Sequence, residues 1–177
     1  YQEVTGVQTC ALPIYLKIKY REGFRPFAPS VLEEDYSKFF EGKTINPYML
    51  MVKKIQENIK LKVPEGYWKL NYWDKLYTKR SKLQSITHVD FSARIQTVSK
   101  KTNRRYWELI NQFKKITDVG VLVNTSFNVR GEPIVNSPED AFKCFMNTEM
   151  DYLVIKNFIY KKDHQTIKIK KLEFEND

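Results

Sequence analysis

The chain has 177 residues, of which 42% are hydrophobic, enough for one domain with a core and too short for two of ordinary size. No apolar run approaches the roughly 18 residues of a membrane span, and six Gly and seven Pro exclude collagenous or low-complexity chains. The net charge of +9 points to anionic partners such as nucleic acid, nucleotides or phosphorylated metabolites. However, 23 of the 30 cations are Lys and only seven are Arg, as an AT-rich genome would produce on any solvated surface.

The stretch Val4–Ile14 has the look of an in-frame translation of a short-read sequencing adapter, so residues 1–14 are left out of the fold reading and the native start is expected to be missing. Without Cys10, Cys144 stands alone. It cannot form an internal disulfide, it reads as a small buried hydrophobe on a helix, and a reducing cytoplasm is the expected location.

Leu16–Tyr20 alternates apolar and basic residues, a short strand. Residues 21–29 carry Gly23, Pro26 and Pro29 and read as a loop. Ser30-Val31-Leu32-Glu33 has the form of a capping box, which predicts a helix with Leu32, Tyr36, Phe39 and Phe40 inward and Gly42 at its end. Pro47 precedes Tyr48–Val52, an apolar run that suits a buried strand. Residues 53–85 lack periodicity and read as a variable insertion; their aromatics suit packing better than a base-stacking platform.

Ile86–Val89 and Arg94–Val98 read as strands around a polar turn. Thr102–Asp118 is the clearest helix, with Tyr106, Leu109, Ile110, Phe113 and Ile116 on one face. Val121–Val123 is a strand running into a polar segment. Ser137-Pro138-Glu139-Asp140 starts a helix that buries Ala141, Phe142, Phe145 and Met146. Tyr152–Ile155, Phe158–Tyr160 and Thr166–Leu172 are strands, the last two as a hairpin, and residues 173–177 are a frayed tail. The alternation gives an α/β class (or α+β) with a mixed sheet in one domain, residues 15–172.

Three segments could carry chemistry. Asn124–Pro133 follows a buried strand and offers two Asn, Thr, Ser, Arg and Gly, which suit an anion site or, equally, a turn rich in Asx and Ser caps. Lys19 and Arg21 share one side of an extended strand, with Arg25 four residues on. Two adjacent cations suit an anion between them, or a solvated face. Thr87–Arg94 holds His88 and Asp90, which would share a face of a strand. With two His and one native Cys, no zinc cluster is expected, and none of the common nucleotide-binding, hydrolase or zinc-protease motifs is present.

Together these blocks resemble the carboxyl-terminal domain of the NodU/CmcH carbamoyltransferases. Lys19–Leu32 is similar to its opening, Thr87–Asp90 with Ala93–Val98 to a second block, and Asn124–Val135 to a third, with Ser137–Ala141 in register. Phe91-Ser92 departs from the Gly-Thr more common in the family. The resemblance implies a YrdC-like domain, a twisted mixed sheet with flanking helices and a basic concave face. It implies an activity that makes carbamoyl-adenylate from carbamoyl phosphate and ATP, with magnesium arriving with the nucleotide and no metal held by the protein. An amino-terminal actin-like-fold domain of the same polypeptide, absent here, would pass the carbamoyl group to a hydroxyl. Lys19, Arg21, Ser126 and Asn128 match the YrdC-like signature. The roles implied are Arg94, Ser126 and His88 in catalysis, and Lys19, Arg21, Arg25, Asn128 and Arg130 in holding carbamoyl phosphate and ATP. The competing expectation is a basic RNA- or nucleotide-binding module without turnover, with steep salt dependence.

Overall fold

The computed structural model describes residues 18–19 and 26–166. They fall into two compact units, one of residues 26–125 and one of residues 18–19 and 126–166. Residues 1–14, most of the predicted strand at 16–20, the strand at 166–172 beyond Thr166, and the tail lie outside the described residues; Ile18 and Lys19, which are described, sit in a π-helical turn and not in a strand. The architecture is mixed α/β, with small sheets and flanking helices. Among the described residues no helix is long and apolar enough to cross a membrane.

The first unit has strands β1 (Ala28–Leu32), β2 (Val52–Lys54), β3 (Ser92–Arg94), β4 (Gln96–Val98) and β5 (Val121–Asn124). Its helices are α1 (Tyr36–Phe39), α2 (Tyr72–Tyr77) and α3 (Arg104–Thr117). β1 lies between β4, parallel, and β5, antiparallel, so the sheet is mixed. All five β1 residues are buried, which removes the alternation that marks a half-exposed strand. Here the sequence expectation fails: Ser30–Leu32 is strand, not a capping box, and Ser30 Oγ donates to Gln96 Oε1 at 2.7 Å instead of capping a helix. Pro29 is tolerated because pairing to β4 begins one residue later, at Ser30, where its missing N–H is not needed.

Tyr48–Val52 is not a buried strand. Tyr48 and Leu50 are 79% and 78% exposed, and only Val52 enters β2. Asn46 explains the turn: its side chain donates to Ile95 O at 2.9 Å and accepts from Leu50 N at 3.0 Å, a local bonding pattern that competes with a ladder. Arg94–Val98 is also not one strand. β3 pairs with β2 and β4 with β1, and buried Ile95 marks the switch between sheets.

Helix α3 buries Ile110 against Leu32 and Val98, with Tyr106, Trp107 and Leu122 packed around them. The predicted face was drawn too wide, since Leu109 and Ile116 are exposed. The seam passes instead through Trp107, whose indole also donates to Glu34 Oε1 at 2.8 Å. Asn103 caps the helix by accepting from Tyr106 N.

Beside α3, the buried Asp35 carboxylate sits 2.6 Å from both Lys38 Nζ and Lys114 Nζ, and Oδ2 relies on the Lys114 ion pair alone. Burial pushes its pKa up, but the two ammonium groups outweigh that and hold it below 3.8. Its stabilisation is therefore present above about pH 4 and lost as the pH falls further. A Cβ at Gly120 would lie 2.8 Å from Asp35 Oδ2. Gly120→Ala should then destabilise the fold by about 1–3 kcal/mol, read as a lower denaturation midpoint, and an unchanged midpoint would show that the carboxylate can move aside.

The second unit packs helix α4 (Pro138–Asn147) on the hairpin of β6 (Tyr152–Ile155) and β7 (Phe158–Lys161). Ser137 Oγ accepts from Asp140 N at 3.1 Å, Pro138 opens the helix and Glu139 and Asp140 occupy its first turn, as the sequence predicts. Ala141, Phe145 and Leu153 form its core, with Phe127, Phe142 and Tyr160 against them. The hairpin pairs 152–155 with 158–161 through Lys156 at φ 55°; the one expected between Phe158–Tyr160 and Thr166–Leu172 lies outside the described residues beyond Thr166.

Candidate functional site

In the second unit, Lys19 is buried, 2% exposed. Its Nζ donates to Ser126 O at 2.5 Å, Ser126 Oγ at 3.1 Å and Asn128 Oδ1 at 3.2 Å, all neutral oxygens. Its carbonyl accepts from Arg130 N at 3.1 Å, so this one residue is fixed to the loop at both ends. The loop also fixes itself. Ser126 Oγ donates to Asn128 Oδ1 at 2.7 Å, Asn128 Nδ2 donates to Glu132 O at 3.0 Å, and Gly131 takes the left-handed conformation at φ 76° that lets the chain turn there.

Asn128 is therefore committed to holding the loop, while exposed Ser126 carries the accessible edge of the cluster. With its three donors committed to the loop, the ammonium acts as a fixed positive charge behind Ser126. Cys144 lies in the same unit. Burial pushes its thiol up to about 11, with Glu132 adding and Lys19 and Lys162 opposing. It behaves as the inert core residue the sequence suggests.

The first residue of the polar segment is used differently. Asn124 ends β5 in the first unit, where its Nδ2 donates to Gln96 Oε1 at 2.6 Å and braces the sheet.

In the first unit, Ile86–Val89 is not a strand. Gln84–Ile86 forms a 3-10 turn, and His88–Ser92 closes a tight turn in which His88 N donates to Ser92 O at 2.8 Å and Phe91 N to His88 O at 3.0 Å. His88 and Asp90 meet through Ser92, not across a strand face. Ser92 Oγ donates to Asp90 Oδ1 at 2.6 Å and lies 3.1 Å from His88 Nδ1. Phe91 stands at φ 63°, a conformation glycine adopts freely. Its ring offsets the strain by packing 5.9 Å from Tyr67 and 6.0 Å from Trp68.

Burial pushes the His88 pKa below 6.5; Arg80, Arg94 and Lys54 push the same way and Asp90 opposes them. Burial raises the Asp90 pKa, but hydrogen bonds from Ser92 and Lys54 outweigh it and bring it below 3.8. Arg94 is exposed at the end of β3, opposite Val52, and among the described residues no hydrogen bond or ion pair engages its guanidinium.

Sequence reasoning missed Arg80. It is 3% exposed and donates to the carbonyls of Lys75, Leu76, Thr78, Thr87 and His88 at 2.8–3.1 Å. Tyr67 Oη adds a bond to Val89 O at 2.7 Å. The segment read as an insertion thus clamps the His88 turn. The available signal was that Arg is scarce among the cations of this chain.

The predicted site residues are therefore distributed. Lys19, Ser126 and Asn128 meet in the second unit, with Arg130 contributing backbone. His88 and Arg94 lie in the first unit. Arg21 and Arg25 lie outside the described residues.

Comparison with known proteins bears directly on these blocks. The carbamoyltransferase C-terminus family model matches residues 7–162. An uncharacterized protein of Synechocystis is 58% identical over 150 residues, 85% of this chain and 24% of that protein. Nodulation protein NolO of Bradyrhizobium diazoefficiens is 45% identical over 148 residues, 82% of this chain and 23% of its own length. The 3'-hydroxymethylcephem-O-carbamoyltransferase of Amycolatopsis lactamdurans is 36% identical over 124 residues, 70% of this chain and 20% of its own length. The chain thus spans about a fifth to a quarter of the relatives it matches, and with the match covering most of its residues it belongs to the carbamoyltransferase C-terminus family.

Proposed function

We propose that this chain is the part of an O-carbamoyltransferase that activates the carbamoyl group, making carbamoyl-adenylate from carbamoyl phosphate and ATP. The observation that carries the reading is the buried Lys19 ammonium, fixed by Ser126 and Asn128 in a chain of this family. The reaction has two steps. Water cleaves carbamoyl phosphate to carbamate, phosphate and a proton. A carbamate oxygen then attacks the α-phosphorus of ATP, the bond to the β-phosphate oxygen breaks and pyrophosphate leaves. Each step brings anions together, so fixed cations are the main requirement.

In this reading the fixed charge of Lys19, with Arg21, draws phosphate to the loop, Ser126 turns its hydroxyl from Asn128 to donate a hydrogen bond to it, and Asn128 positions Lys19. Arg94 pairs with a nucleotide phosphate, for which a guanidinium has the matching fork. Arg25 and Arg130 order their own loops or add charge, and His88 accepts a substrate proton or hydrogen bond. Magnesium enters with ATP as part of the substrate. The acceptor is a hydroxyl, as the name of the cephem relative describes for that enzyme, and its binding belongs to the remainder of a longer polypeptide acting in the cytoplasm.

The test is pyrophosphate release with ATP, magnesium and carbamoyl phosphate, using a full-length relative-sized protein carrying this segment. Release that requires carbamoyl phosphate is expected. Arg94→Ala should lower it by about a hundredfold or more without moving the thermal midpoint, because the side chain is exposed. A folded protein that binds RNA with steep salt dependence and releases no pyrophosphate would replace this reading with a binding module.

A further inference from the structure

The turn at His88–Ser92 contains a hydrogen-bond chain whose direction can be worked out. Asp90 is ionised and accepts twice on Oδ1, from Ser92 N at 3.0 Å and Ser92 Oγ at 2.6 Å. A hydroxyl has one proton. The short contact to a carboxylate is the stronger of the two it could make, so the Ser92 proton points to Asp90. Ser92 Oγ can then face His88 Nδ1, 3.1 Å away, only as an acceptor. Nδ1 must therefore carry the proton.

Among the described residues no hydrogen bond engages Nε2. We infer that Ser92 and Asp90 are positioning residues that hold His88 in the Nδ1–H tautomer, leaving Nε2 unprotonated as an acceptor for an N–H or O–H group of the substrates. The inference about substrate rests on the carbamoyl-adenylate reading; the tautomer does not. The charged groups around the ring are Asp90 on its own turn, Arg80 from the clamp, Arg94 on β3 and Lys54 on β2. The three cations and burial outweigh Asp90, so Nε2 stays unprotonated at neutral pH. The same logic, a carboxylate setting an imidazole tautomer so that the far nitrogen is the base, operates in hydrolase triads. Here a hydroxyl is interposed.

The chain has only two histidines, His88 and His164, so nitrogen-15 imidazole spectra of a His164→Ala background report His88 alone. At pH 7.5 the expected spectrum has a protonated Nδ1 and an unprotonated Nε2. Ser92→Ala should shift the population to the Nε2–H form and cut carbamoyl-phosphate-dependent pyrophosphate release by about tenfold or more, whereas Ser92→Thr should keep both. Should Ser92→Ala fail to fold, Asp90→Ala makes the same test, since removing the acceptor on Oδ1 frees the Ser92 proton to turn to Nδ1. A protonated Nε2 in the parent protein, or a tautomer unmoved by a folded Ser92→Ala, overturns the inference. The expected tautomer in a protein that releases no pyrophosphate leaves the relay standing and removes the activation reading instead.

Discussion

Lys19→Met should abolish carbamoyl-phosphate-dependent pyrophosphate release, a loss of about a thousandfold or more, because the ammonium fixed at the Ser126 loop is removed. Methionine has nearly the same length and fits a buried position, so the charge is the main change. It leaves Ser126 O, Ser126 Oγ and Asn128 Oδ1 without their shared donor, a stability cost of about 1–3 kcal/mol. The two effects separate in measurement: stability falls modestly while turnover disappears. Lys19→Arg should not rescue, because a planar fork cannot aim one donor at three oxygens clustered around a point. Folded Lys19→Met with turnover near that of the parent would remove Lys19 from the chemistry and leave it as a loop staple.

Lys19, Ser126 and Asn128 were legible because residue type alone marks them: a cation among apolar residues, and a hydroxyl and an amide beyond a buried strand; the strand expected at Lys19 is a π-helical turn. Their meeting across more than a hundred residues came from the family resemblance, not from spacing. Helix α4 was legible for another reason. Its cap, its proline and its first-turn acids are local devices that act whatever surrounds them.

Where the reading failed, tertiary structure overrode a local signal. Ser30-Val31-Leu32-Glu33 satisfies a capping box, yet a central strand position between β4 and β5 buries Ser30, Val31 and Leu32 completely. Tyr48–Val52 is apolar enough for a core strand, yet Asn46 ties the backbone into a turn. Ile86–Val89 has strand composition, but the carbonyls of Thr87 and His88 are taken by Arg80 and are not available to a neighbouring strand. No periodicity can signal a partner supplied by one side chain. The left-handed Phe91 is of the same kind: its conformation is set by the bonds from His88 to Ser92, and the hydroxyl at 92 preserves the contact that matters.

Arg80→Met should lower the stability of the first unit by about 3 kcal/mol or more, a fall of about 6–12 °C in Tm for a chain of this size. The guanidinium is buried and directs its donors to five backbone carbonyls. Removing it orphans acceptors that water cannot readily reach, and the penalty for an unsatisfied buried carbonyl exceeds what the bond contributes when made. Arg80→Lys keeps the charge but has three donors at one point, so it should recover little of the loss. Methionine packs better than alanine and isolates the lost hydrogen bonds from a cavity. A second readout follows from position. Arg80 adds to the cations that depress the His88 pKa, and its clamp keeps the ring buried. Both contributions weaken in the variant, so the His88 pKa should rise toward 6.5. Titration of the His88 ring signal and thermal unfolding together check the prediction. A Tm unchanged within about 2 °C, with the His88 titration unmoved, would mean that the five carbonyls find other partners and that the segment at 53–85 does not set the turn.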